Sequence, residues 1–78
     1  MSDALERRAR EVLQVVLGLP AGSGDIVREH TPEWDSIKNV EIVFALEEEF
    51  AVRIPEREIS ELVSLAAVVR LLEKHRAA

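Results

Sequence analysis

Apolar residues recur at three- and four-residue steps in three stretches of this chain, separated by segments with no such period. In the first stretch Leu5, Ala9, Val12, Leu13, Val16 and Leu17 share one face, the spacing of an amphipathic helix. Glu6, Arg7, Arg8, Arg10 and Glu11 take the outer side. Ser2 or Asp3 can cap its start. Gly18 suits the position past its end, and Pro20 prevents continuation. A helix is therefore predicted from about residue 3 to about residue 17.

The second stretch runs from Ser36 to Phe50. Val40, Val43, Leu46 and Phe50 cluster on one side at about 100° per residue. They are predicted to face the core, with Asn39 and Ile42 at its margin. On the other side Ile37, Glu41, Phe44 and Glu48 fall at steps of four, three and four. This second stripe alternates apolar with acidic residues and begins beside Ser36. Exposed isoleucine and phenylalanine between glutamates have the character of a docking surface, although single exposed apolar residues are common. Glu47, Glu48 and Glu49 occupy the last turn, where the helix dipole disfavours negative charge by about 0.3–1 kcal/mol per exposed group. That mismatch suggests that the charge serves recognition.

In the third stretch Ser64 is placed to cap a helix whose seam is Leu65, Val68, Val69 and Leu72. Ala66 and Ala67 allow close approach, and Lys74, His75 and Arg76 complement the helix end. Before it, Pro55 fits the first position of a short helix ending near Ser60 or Glu61, with Ile59 and Leu62 apolar. Val52 and Ile54 are expected to tuck inward. From Gly18 to Asp35 there is no period; the loop is expected to be anchored by Ile26, Val27 and Trp34, with a short helical turn near Asp25 to Glu29. Trp34 is assigned the role of pinning the loop end to the core. No strand of useful length is visible. The fold class is all-α: a small four-helix bundle of three longer helices and one short one, with a long loop between helices one and two.

The 78 residues make one domain, 1–78. No apolar run reaches 18 residues, so no membrane span is expected. No secretory leader is visible and cysteine is absent, so the cytoplasm is the expected compartment. No metal site is expected. The net charge of −5 is uneven: residues 25–61 hold eleven acids against four bases. Nucleic acid would be repelled by that region, and a partner with a basic patch attracted to it.

The residue types leave open what Ser36 does. It can simply cap helix two, but Asp35 can cap equally well and leave the serine free. A catalytic nucleophile needs a neighbouring base and an oxyanion site. His30 and His75 lie at no informative spacing, and there is no Gly-x-Ser-x-Gly elbow. No enzymatic activity is expected.

Asp35-Ser36-Ile37, followed by Val40-Glu41-Ile42-Val43 and Ala45-Leu46-Glu47-Glu48-Glu49-Phe50, resembles the Asp-Ser-Leu signature and following helix of acyl carrier proteins. Ile54-Pro55 falls where that family begins its next short helix. The resemblance extends from about Leu5 to about Leu72. It implies a discrete, monomeric carrier with 4'-phosphopantetheine on Ser36, transferred from coenzyme A by a phosphopantetheinyl transferase, with Asp35 beside it. An anion there suits a helix N-terminus. The arm's thiol would hold acyl intermediates as thioesters. Partners so implied are an acyl- or aminoacyl-loading ligase and downstream synthase or transferase enzymes with basic docking patches. Ile37, Glu41, Phe44, Glu47 and Glu48 are the docking candidates.

Two departures matter. Isoleucine follows the serine where leucine is usual, and Lys38-Asn39 stands where fatty-acid carriers typically place an acid first. Trp34-Asp35-Ser36 is more like free-standing carriers of specialised pathways, polyketide, modified lipid, or aminoacyl and peptidyl assembly. Fatty-acid, polyketide and aminoacyl or peptidyl carriage all remain open, as does a helical interaction module that carries nothing.

Overall fold

The computed structural model describes residues 3–22 and 24–76, with no description of the Asp3 side chain. The capping expected of Ser2 or Asp3 lies outside the described residues. Among the described residues four α-helices follow in order: α1 (Asp3–Leu17), α2 (Ser36–Phe50), α3 (Glu56–Ile59) and α4 (Leu65–Arg76). A 3-10 turn at Arg28–His30 interrupts the long loop. Helix α1 packs against α2 and α4, and α2 against α3. Among the described residues no strand forms; Val27 and Ser64 make an isolated antiparallel bridge. The expected small all-α bundle is the observed fold.

Leu5, Ala9, Leu13 and Leu17 of α1 are buried, with Val12 and Val16 packed half-buried beside them. Gly18 takes φ +70°, a conformation that costs glycine nothing. Leu19 N–H then reaches back to the Gln14 carbonyl at 2.9 Å, closing the helix end. From α4, Leu65, Ala67, Val68, Leu71 and Leu72 are buried. The predicted seam thus gains Leu71, while Val69 is only half-buried and Ala66 faces solvent. Ser64 Oγ accepts the Ala67 N–H at 3.0 Å, the expected cap.

Helix α2 is rotated from its predicted register. Asn39, Ile42, Val43, Leu46 and Phe50 are buried. Val40, predicted to be in the core, is 46% exposed. Both registers keep Val43, Leu46 and Phe50 inward; they differ by which neighbour, 39 or 40, turns in with them. Asn39 wins because it finds hydrogen-bond partners for both ends of its amide, at Trp34 and Ile59. A buried amide so satisfied carries little penalty.

The loop is anchored as expected. Ile26 and Trp34 are buried and Val27 is half-buried. Arg28 N–H donates to the Val63 carbonyl and Leu65 N–H to the Ile26 carbonyl. The helical turn lies slightly later than predicted, at 28–30 rather than 25–29. Ile54 and Leu62 are buried, and Val52 and Ile59 half-buried.

A four-residue helix such as α3 cannot stand alone. Two polar attachments hold it. The Asn39 amide donates to the Ile59 carbonyl at 3.2 Å. Glu58, buried, takes Lys74 Nζ on one carboxylate oxygen and His75 Nε2 on the other, both at 2.7 Å. These contacts, the Lys74 hydrogen bond foremost, pull the Glu58 pKa down to about 2 from its ordinary 4.5. His75 counts as a cation here only when protonated.

Candidate functional site

Trp34 and Asp35 deliver the chain to α2, and Ser36 is its first residue. Asp35 has extended backbone angles, and its carboxylate accepts the Lys38 N–H at 2.8 Å. That is the N-cap position of the helix. Ser36 is therefore spared the capping role. Its side chain is exposed, and its hydroxyl makes no hydrogen bond among the described residues. The N–H groups of Ser36 and Ile37 belong to the first turn, where a helix provides no carbonyl. Lys38, one residue further, is half-buried and turns its ammonium to Glu41 Oε1 at 3.2 Å.

A covalently bound anion on Ser36 would face free N–H groups and the positive end of the α2 dipole. Water has open access, and so would a modifying enzyme. Among the described residues neither histidine hydrogen-bonds Ser36, and His75 is engaged by Glu58. Among the described residues no three His, Asp or Glu side chains gather as a metal site, and no helix is long and apolar enough to cross a membrane.

The remaining site residues are spread along α2. Ile37 is 70% exposed and Phe44 65%; Glu41 and Glu48 are exposed as well. Because Val40 also faces outward, Ile37, Val40 and Phe44 make a continuous apolar strip at steps of three and four. Glu47 is placed differently. Its carboxylate accepts the Ile54 N–H at 2.9 Å, tying the chain that leaves α2 back to the helix. Glu49 pairs with Arg8 at 2.9 Å, whose guanidinium also lies 4.6 Å from the centre of the Phe50 ring. Glu48 alone of the three makes no hydrogen bond or ion pair among the described residues. The electrostatic mismatch at this helix end is thus largely answered within the fold. Sequence reading missed Asn39 and Glu58 as structural polar residues. The only signal for Asn39 was its position one helical turn after Ser36, level with the core face.

Residues 33–72 match the family described as the phosphopantetheine attachment site. An acyl carrier protein of Campylobacter curvus is 52% identical over 40 residues, 51% of this chain and 52% of that protein. One of Campylobacter concisus matches to the same extent. These alignments span about half the length of each relative. An acyl carrier protein of Akkermansia muciniphila is 32% identical over 77 residues, covering 95% of this chain and 96% of its own length. The matched family is one of carriers rather than catalysts. The chain belongs to the acyl carrier protein family, whose cofactor is covalently attached 4'-phosphopantetheine.

Proposed function

We propose that Ser36 bears the 4'-phosphopantetheine, that the arm's thiol holds acyl intermediates as thioesters, and that the chain acts as one carrier domain presenting them to successive enzymes. The observation that carries this reading is the division of labour at the head of α2. Asp35 caps the helix, and the serine hydroxyl is left exposed at the anion-favouring end. Asp35 is a positioning residue in this scheme. A phosphopantetheinyl transferase would supply the group from coenzyme A. The relatives named acyl carrier proteins support acyl over aminoacyl cargo.

Ile37, Val40 and Phe44, edged by Glu41 and Glu48, form the proposed docking strip. Basic residues around a partner's entrance would meet the two glutamates and give fast, weak association. The Lys38–Glu41 pair is exposed and worth at most about 1 kcal/mol, so a partner's cation can replace it. Glu47 contributes to this surface mainly by fixing the end of α2. The cargo is tested by loading the transferase-treated protein with fatty-acyl and aminoacyl ligases in parallel. A mass gain from the fatty-acyl ligase that hydroxylamine reverses is expected. Loading by aminoacyl ligases only would replace this reading with aminoacyl carriage.

A further inference from the structure

Asn39 is the one polar residue on the buried face of α2, at 5% exposure. Its amide is used at both ends. Oδ1 accepts the indole N–H of Trp34 at 2.8 Å, and Nδ2 donates to the Ile59 carbonyl at 3.2 Å. The orientation is forced: an indole nitrogen only donates and a carbonyl only accepts. Few side chains can replace it. Leucine offers neither group, and an ionised aspartate would set a carboxylate oxygen against the Ile59 carbonyl.

The Trp34–Asn39 bond spans the head of the helix. Trp34 lies two residues before Ser36 and Asn39 three residues after it. The bond therefore closes a ring around Asp35, Ser36, Ile37 and Lys38, inside which the Asp35 carboxylate holds the Lys38 N–H. Trp34 is fixed independently from the loop. Its carbonyl accepts Arg28 Nε at 3.2 Å and its N–H donates to the Thr31 carbonyl at 2.9 Å. Thr31 in turn donates its hydroxyl to the Val27 carbonyl at 2.7 Å. The residues flanking the serine are thus held from the loop, from the core of α2 and from α3.

Stability alone does not require this. An apolar pair of similar shape in place of a buried hydrogen bond can be neutral or better. A fully satisfied buried polar network instead selects one geometry. We propose that the Trp34–Asn39 bond is a staple that fixes the backbone carrying the Ser36 hydroxyl for phosphopantetheine transfer, with Asn39 a positioning residue that touches no reactant. This rests on Ser36 being the attachment site.

The test measures transfer from coenzyme A by one broad-specificity transferase to the wild-type protein, N39L, W34F and the double variant. Conditions are chosen so that each is fully folded by circular dichroism and urea titration. Both single variants are expected to lose about tenfold in kcat/KM, less than the about 100-fold that a full 1 Å misplacement can cost. The double variant should lose no more than either single one, because the same bond is removed. Amide exchange should quicken at Lys38 and Asn39, whose N–H groups are held by Asp35, while Leu46 and Val68 keep their protection, a pattern that general destabilisation would not give. W34F keeps an aromatic ring in the core, so it carries the test if N39L does not fold. Rates within twofold of wild type in folded variants would overturn the staple alone. A wild-type protein that accepts no group would instead overturn the attachment reading beneath it.

Discussion

The carboxylate of Asp35 holds the backbone N–H of Lys38 at 2.8 Å, so α2 is capped by the residue before the serine. Stability and modification should therefore separate between neighbouring positions. Asp35→Ala is expected to cost about 1 kcal/mol, the usual worth of a cap. Ser36→Ala should stay within about 0.5 kcal/mol of wild type, as an exposed substitution does, while abolishing modification. Urea unfolding midpoints of the two variants decide this; a larger loss in Ser36→Ala would return the capping role to the serine.

Glu58 should make the protein acid-sensitive through α3. Its folded pKa, about 2, lies below the ordinary 4.5. The folded state therefore binds its proton less readily than the unfolded chain does, and acidification favours unfolding. The contribution is complete above about pH 4.5 and is lost as pH falls through about 2. Glu58→Gln keeps the shape but not the charge. The stability difference between wild type and this variant should shrink across that window when urea titrations are run from pH 6 to pH 2. Curves that stay parallel would deny the Lys74 and His75 contacts this role.

Glu47 and Glu48 are adjacent in sequence and different in effect. Glu47 accepts the Ile54 N–H, and Glu47→Ala should cost about 1 kcal/mol, the net worth of such a bond. Glu48→Ala should change stability by less than about 0.5 kcal/mol. Glu48→Lys should instead slow turnover with an enzyme that docks on α2, with helicity unchanged. Unaltered turnover would remove Glu48 from the docking strip.

Ala51 ends α2 in the left-handed region at φ +55°, ψ +46°. That conformation costs an L-residue about 1–2 kcal/mol, partly offset by glycine's greater freedom in the unfolded chain. Ala51→Gly is therefore expected to stabilise the protein by about 0.5–1 kcal/mol. Thermal unfolding of the variant checks this, and a lower midpoint would contradict it.

Much of this was legible from periodicity. The limits of α1 and α2, the Gly18 stop and the Ser64 cap were read from the chain and are observed. Hydrophobicity alone could not set the register of α2, because valine 40 and asparagine 39 compete for the same place. The side with partners for its polar atoms wins, and those partners, Trp34 and the Ile59 carbonyl, come from the loop and from α3. Glu58 was hidden for the same reason: its burial depends on Lys74 and His75, sixteen and seventeen residues away. Ser36 was singled out by its motif, whereas its freedom from capping duty required the Asp35 geometry.

The proposed attachment of phosphopantetheine to the Ser36 hydroxyl can be tested directly. The most direct measurement is fragment-resolved mass spectrometry after incubation with coenzyme A and a broad-specificity transferase. One added group on the peptide containing Ser36, and none in Ser36→Ala, is the predicted result. No addition with several transferases, or addition that persists in Ser36→Ala, would contradict it.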